Sequence, residues 1–269
     1  DLDATKGDGH KKSVSLFQRF IGVDYSGAAT PMTPLSGLRV FEARLAGSPR
    51  EVRPLKNPLR HWTRQGVAEW LLDVILAEEP VLVGIDHGFS FPLAYFTQYG
   101  LSGNWSQFLD DFCTHWPSDQ LGQTVRALRT DNPRSGDSRA RRQVEILARA
   151  KSVFHFDVPG SVASSTHAGL PWLRWLRERA GTRLHFWPYD GLEIASGSSV
   201  VAEAYPALWF RAGCPKDWSR DQWDAFLIAE ALERASREGI LATWFERQWP
   251  NALDAVIAKE GWILGFSES

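Results

Sequence analysis

Two short apolar runs end alike. Ile21-Gly22-Val23-Asp24 and Val83-Gly84-Ile85-Asp86 each carry a glycine two residues before an aspartate. A run that stays apolar until a terminal acid suits a parallel strand covered on both faces, and ligands of such sheets bind beyond the carboxyl ends of the strands. Period-two alternation puts each glycine on the same sheet face as its aspartate, leaving space for something to approach there. A single strand-end aspartate often only caps the next turn. A matched pair points further, to a shared site.

Two more acidic positions could join it. Glu203 interrupts the apolar run Val201-Ala202-Glu203-Ala204-Tyr205. An unpaired buried carboxylate is costly, so Glu203 requires an arginine, a metal or a proton unless its strand is a wet edge. Asp221-Gln222-Trp223-Asp224-Ala225 opens a late helix on which Asp224 aligns with Ile228, Ala231 and Leu232, toward the core. Capping and the helix dipole account for Asp221, one turn earlier on an adjacent line, better than for Asp224. Asp24, Asp86, Glu203 and Asp224 are therefore the candidate catalytic set. Asp24, Asp86, Asp221 and Asp224 are the candidate ligands of Mg²⁺ or Mn²⁺, hard cations that take oxygen donors and offset the repulsion among clustered carboxylates. Two such ions about 3.5–4 Å apart can activate water and stabilise a leaving oxygen in phosphodiester hydrolysis.

Candidate substrate-binding residues flank these acids: Ser26 and His87 in the loops after the two strands, and Arg139, Arg141 and Arg142 within a basic segment. That segment also holds Arg126, Arg129, Arg134, Arg149 and Lys151, and could grip phosphates of a nucleic acid. The competing reading is a solvated face paired with Asp131, Asp137 and Glu145. A lone loop histidine such as His87 can shuttle a proton, though most do not.

The elements that must position these groups follow from pattern. Phe20–Asp24, Gly37–Leu45 and Glu51–Leu55 read as strands of an antiparallel meander, and Val67, Trp70, Leu71, Val74 and Ile75 recur at helical spacing before the Asp86 strand. An insertion spans about 91–152, rich in aromatics and then arginine. After a Ser/Thr-rich loop come a helix at Trp172–Arg179, strands at Leu184–Trp187 and Ser199–Tyr205, a helix at Asp221–Glu238, and a small strand at Trp262–Leu264. The expectation is an α/β mixed sheet, meander first and parallel strands after, with flanking helices, in one domain over 17–269 behind a flexible tail at 1–16.

Composition narrows the class. With 269 residues, 43% hydrophobic content and a net charge of −2, the chain can close a substantial core and has no overall field to attract a polyanion. Cys113 and Cys214 lie far apart without metal-ligand spacing, which suits a reducing compartment, and no apolar run is long enough for a membrane span. A cytoplasmic location and no membrane partner are the expectation. GxGxxG, HExxH and GxSxG patterns are missing, so no dinucleotide cofactor is expected.

The segments Gly22-Val23-Asp24-Tyr25-Ser26-Gly27, Ile85-Asp86-His87-Gly88-Phe89-Ser90-Phe91-Pro92, Ser152-Val153-Phe154, Val201-Ala202-Glu203-Ala204-Tyr205-Pro206 and Asp221-Gln222-Trp223-Asp224-Ala225 resemble a bacterial domain family described as predicted nucleases with a ribonuclease H-like fold. The likeness runs from Phe20 to Gly265. It implies that fold and a metal-dependent nuclease. The chain departs from the family pattern at Asp86-His87-Gly88, where Asp-Ile-Pro is expected, and at Tyr25-Ser26, where a small or basic residue is. Two other readings stay open: an ATP-binding phosphotransferase of the sugar kinase and actin type, with Asp24-Tyr25-Ser26-Gly27 as its phosphate turn, and a non-catalytic binding module.

Overall fold

The computed structural model describes residues 16–55 and 61–267. The expected tail at 1–16 therefore lies outside the described residues except for its last position. Strands β1 (Arg19–Asp24), β2 (Arg39–Arg44) and β3 (Arg50–Glu51) precede helix α1 (Arg64–Leu76) and β4 (Val81–Asp86). Four helices follow: α2 (Leu93–Gln98), α3 (Trp105–His115), α4 (Val125–Arg129) and α5 (Gln143–Leu147). Then come α6 (Ala163–Ala180), β5 (Leu184–Trp187), β6 (Ser199–Glu203), α7 (Arg220–Arg237), α8 (Leu241–Phe245) and α9 (Asp254–Glu260).

The strands form one six-stranded sheet in the order β3-β2-β1-β4-β6-β5. β2 runs antiparallel to β1 and β3, whereas β1, β4, β6 and β5 are mutually parallel. Alternation along each strand divides the core. Ile21, Val23, Val83 and Ile85 pack with Val67, Leu71 and Ile75 of α1 and with Ala168 and Leu170 of α6. Phe20, Leu82, Val200 and Ala202 turn the other way, onto Ile228 and Leu232 of α7. Both faces are covered, which is why these strands read as unbroken apolar runs. Among the described residues no helix is long and apolar enough to cross a membrane, and Cys113 and Cys214 are unpaired.

Three segments differ from the sequence expectation; the third strand, expected over Glu51–Leu55, is only the pair Arg50–Glu51. α6 begins at Ala163, so Ser164, Ser165 and Thr166 are helical rather than part of a loop. Weak helix formers are tolerated there because the Thr166 hydroxyl accepts from the Gly88 amide at 2.8 Å. Pro171 within α6 leaves the His167 carbonyl without its intrahelical donor, and the Ser118 hydroxyl donates to that carbonyl instead, at 2.6 Å. Trp262–Leu264 is not a strand, although the Leu264 amide donates to the Glu203 carbonyl at 3.0 Å.

Candidate functional site

In the β1–β4 register Gly22 lies opposite Gly84, and Asp24 opposite Asp86. What approaches the two glycines is helix α7. A Cβ on Gly22 would stand 2.2 Å from the Ala225 carbonyl oxygen and 2.6 Å from the Ala229 amide nitrogen; one on Gly84 would stand 2.7 Å from Ile228 Cγ2. The helix backbone therefore rests directly on the strand. Asp24 lies two residues beyond Gly22, roughly 6.6 Å along the strand, and one helical turn covers about 5.4 Å. Asp221 and Asp224, one turn before Ala225 and Ile228, consequently come over Asp24. Close packing at the glycines thus assembles the acids.

The capping of α7 does not use Asp221 or Asp224. Ser219 caps the helix, its hydroxyl accepting from the Gln222 amide at 3.2 Å while the Gln222 side chain accepts from the Ser219 amide at 2.9 Å. Asp221 instead reaches the Asp24 carboxyl. Burial, then Asp86, Asp221 and Asp224, hold the Asp24 carboxyl well above the usual carboxylate range. Burial, then Asp224 and Glu203, push Asp86 up to about 8, with Arg220 opposing. Asp224 is raised mainly by burial and restrained by Arg220, whose Nε donates to it at 3.1 Å. Arg220 was not singled out from the sequence, although its i,i+4 spacing to Asp224 was available.

Glu203 has a different partner from these aspartates, although it stays near enough to Asp86 to raise its pKa and to line a cavity with it. It pairs in register with Ile85, not Asp86, so its side chain leaves the sheet on the opposite face. Of the three partners the sequence left open, it has an arginine. Arg142 donates to both Glu203 oxygens, at 2.7 and 2.6 Å, and to Glu145 at 2.9 Å, with all three side chains buried. Phe89 also gives its amide to Glu203 at 3.0 Å. Arg142 is accordingly fully engaged inside the protein. Beside it, the two Glu260 oxygens accept from the amides of Leu93 and Gln143, each at 2.6 Å, so one carboxylate of α9 caps both α2 and α5.

The loop after β1 is held by Arg64, the first residue of α1, which is fully buried. Its guanidinium donates to the carbonyls of Ser26, Ala28 and Ala29 at 3.3, 2.6 and 3.1 Å. Ser26 faces the acids: a Cβ on Gly37 would lie 3.7 Å from Ser26 Oγ and 3.6 Å from Asp221 Oδ2. His87 is buried against Tyr25 and Phe89, and burial pushes its pKa down to about 4, so it is neutral near pH 7. Its Nδ1 lies 2.9 Å from the Gly88 carbonyl, which makes Nδ1 the protonated nitrogen.

Two cavities open at these strand ends. A larger one, about 650 Å³, is lined by Tyr25–Ala29, the start of α6, and Arg126 and Arg129. A smaller one, about 150 Å³, includes Asp86, His87, Arg149, Lys151 and Tyr205. The insertion therefore brings some of its arginines to the acidic strand ends. Arg139 and Arg141 line neither cavity; Arg139 is exposed and bonded to Asp137. Asp24, Asp86, Asp221 and Asp224 supply only hard oxygen donors, suited by type to Mg²⁺ or Mn²⁺. As placed, no three His, Cys, Asp or Glu side chains among the described residues would hold an ion, so enclosing one requires new side-chain rotamers. No family model, curated protein or solved structure matches the chain.

Proposed function

We propose that this chain is a Mg²⁺- or Mn²⁺-dependent nuclease with a ribonuclease H-like fold, belonging to the bacterial family its motifs resemble. The observation that carries this reading is the register pairing of Asp24 with Asp86 under Asp221 and Asp224. Burial and neighbouring carboxyl groups raise the pKa of Asp24, Asp86 and Asp224, a conflict that a divalent cation relieves. The sheet, a meander followed by parallel strands, supports the fold assignment.

Asp24 and Asp86 would hold the metal, with Asp224 and Asp221 from α7 completing its oxygen ligands. Once bound, the ion would polarise a phosphoryl oxygen and lower the pKa of water. Arg64 keeps the Tyr25–Ala29 loop in one conformation at the mouth of the larger cavity, where Arg129 is paired with Asp157 and Arg126 supplies positive charge to a phosphate backbone. Arg220 restrains the Asp224 carboxylate. Glu203 acts through Arg142 and keeps the insertion against the sheet.

Labelled DNA, RNA, hybrid and branched substrates, incubated with Mg²⁺, Mn²⁺ or chelator, test the proposal, with Asp24→Asn as control and ATP hydrolysis measured alongside. The expected result is metal-dependent cleavage that Asp24→Asn abolishes. ATP turnover without cleavage would favour the phosphotransferase, and neither reaction with any divalent ion would leave a binding module.

A further inference from the structure

The 150 Å³ cavity beside Asp86 has a rim unlike its interior. Deep inside, Arg142 is consumed by Glu145 and Glu203. At the rim, Arg149 and Lys151 make no ion pair with a carboxylate among the described residues; the Lys151 ammonium donates only to the Pro159 carbonyl. Of the three carboxyl groups that line this cavity, Glu145 and Glu203 are taken by Arg142, so Arg149 and Lys151 share only Asp86 as a counter-charge.

The backbone at Arg149 makes a clean substitution possible. Helix α5 ends with the Ala150 amide donating to the Glu145 carbonyl at 2.9 Å and the Arg149 amide to the Ile146 carbonyl at 3.3 Å. This termination puts Arg149 in the left-handed region, at φ 53°, where glycine is the usual occupant. Glycine can therefore replace Arg149 without backbone strain.

We infer that Arg149 and Lys151 form a subsite for one phosphate group of the substrate, next to Asp86. The cavity is about half the roughly 300 Å³ at which small-molecule pockets begin, so it takes a single tetrahedral oxyanion and not a nucleoside. A nucleoside fits the 650 Å³ cavity on the Tyr25–Ala29 side. Assigning this phosphate to a nucleic acid rests on the nuclease reading; the anion site itself does not.

Inorganic phosphate, titrated calorimetrically into the full chain in the presence of chelator, tests the subsite. Wild type should bind it, and Arg149→Gly should weaken binding roughly ten- to a hundred-fold, the effect of losing a charge-assisted contact. Because glycine suits the left-handed position, the same variant should keep or raise the melting temperature, by up to about 3 °C, which excludes misfolding as the cause. Lys151→Gln should weaken phosphate binding in the same direction. Absence of phosphate binding by wild type, or equal binding by all three proteins, overturns the inference. Arg149-dependent binding in a protein that cleaves nothing keeps the subsite and removes the nuclease, whereas metal-dependent cleavage with phosphate binding indifferent to Arg149 does the reverse.

Discussion

Replacing Asp86 by asparagine should stabilise the protein, increasingly so as pH rises. In the fold the Asp86 carboxyl is pushed from 3.8 to about 8 by burial and by Asp224 and Glu203. A group with a raised folded-state pKa favours folding fully below its unfolded pKa, and that contribution is lost as pH climbs through the folded one. The window is therefore pH 4 to 8. Each unit is worth about 1.4 kcal/mol, so at pH 7, some three units above the unfolded value, wild type should forfeit on the order of 4 kcal/mol. At pH 5 the loss should be about 1–2 kcal/mol, and at pH 3 near zero. Asparagine has the same shape and no charge to lose. Urea unfolding of wild type and Asp86→Asn in chelator, from pH 4 to 8, should give a stability gap that widens toward high pH. A gap that is constant with pH, or a variant less stable than wild type at pH 7, would refute the reasoning. Mn²⁺ should narrow the gap, because an ion bound by the ionised carboxylates stabilises the wild-type fold alone.

Gly22→Ala should destabilise by roughly 1–3 kcal/mol and abolish the proposed metal-dependent cleavage, because its Cβ meets α7 backbone atoms that cannot give way singly. Gly84→Ala, which meets mainly side-chain methyls, should cost less, and thermal melts of the two variants would rank them. Arg142→Met leaves Glu203 and Glu145 buried without their cation and should cost about 3–5 kcal/mol; Glu203→Gln in that background should recover part of it, measured as a double-mutant cycle. Arg64→Met removes the donor of three loop carbonyls and should speed amide hydrogen exchange and proteolysis at residues 25–29 while the sheet stays protected.

The strand ends were legible because local sequence determines them. An apolar run broken by Gly-x-Asp specifies direction, burial and face at once, and the spacing of α7 placed Asp224 inward. What occupies the space over the glycines was not legible, because only packing shows that α7 fills it. Glu203 shows a related limit. Its burial could be read from its neighbours, but its face depends on whether β6 pairs with Ile85 or with Asp86, and strand register is set across the sheet. The Arg142 partner lies 61 residues away, so the arginine run alone could not separate the one buried member from its solvated neighbours. The start of α6 was missed because Ser164-Ser165-Thr166 favours a loop by propensity, and tertiary hydrogen bonds override that preference.

The double cap supplied by Glu260 bears on the order in which the molecule is completed during synthesis. Leu93 and Gln143, near the two ends of the insertion, are fastened by one carboxylate that follows them by 167 and 117 residues. A chain emerging from the ribosome can pair β1, β2 and β4 long before residue 260 exists, since these strands need only earlier residues. The insertion, by contrast, stays unlatched until translation has passed α9. A nascent chain would thus display its acidic strand ends before its arginines are locked beside them, and a ribosome stalled before residue 260 would hold a sheet without its clasp.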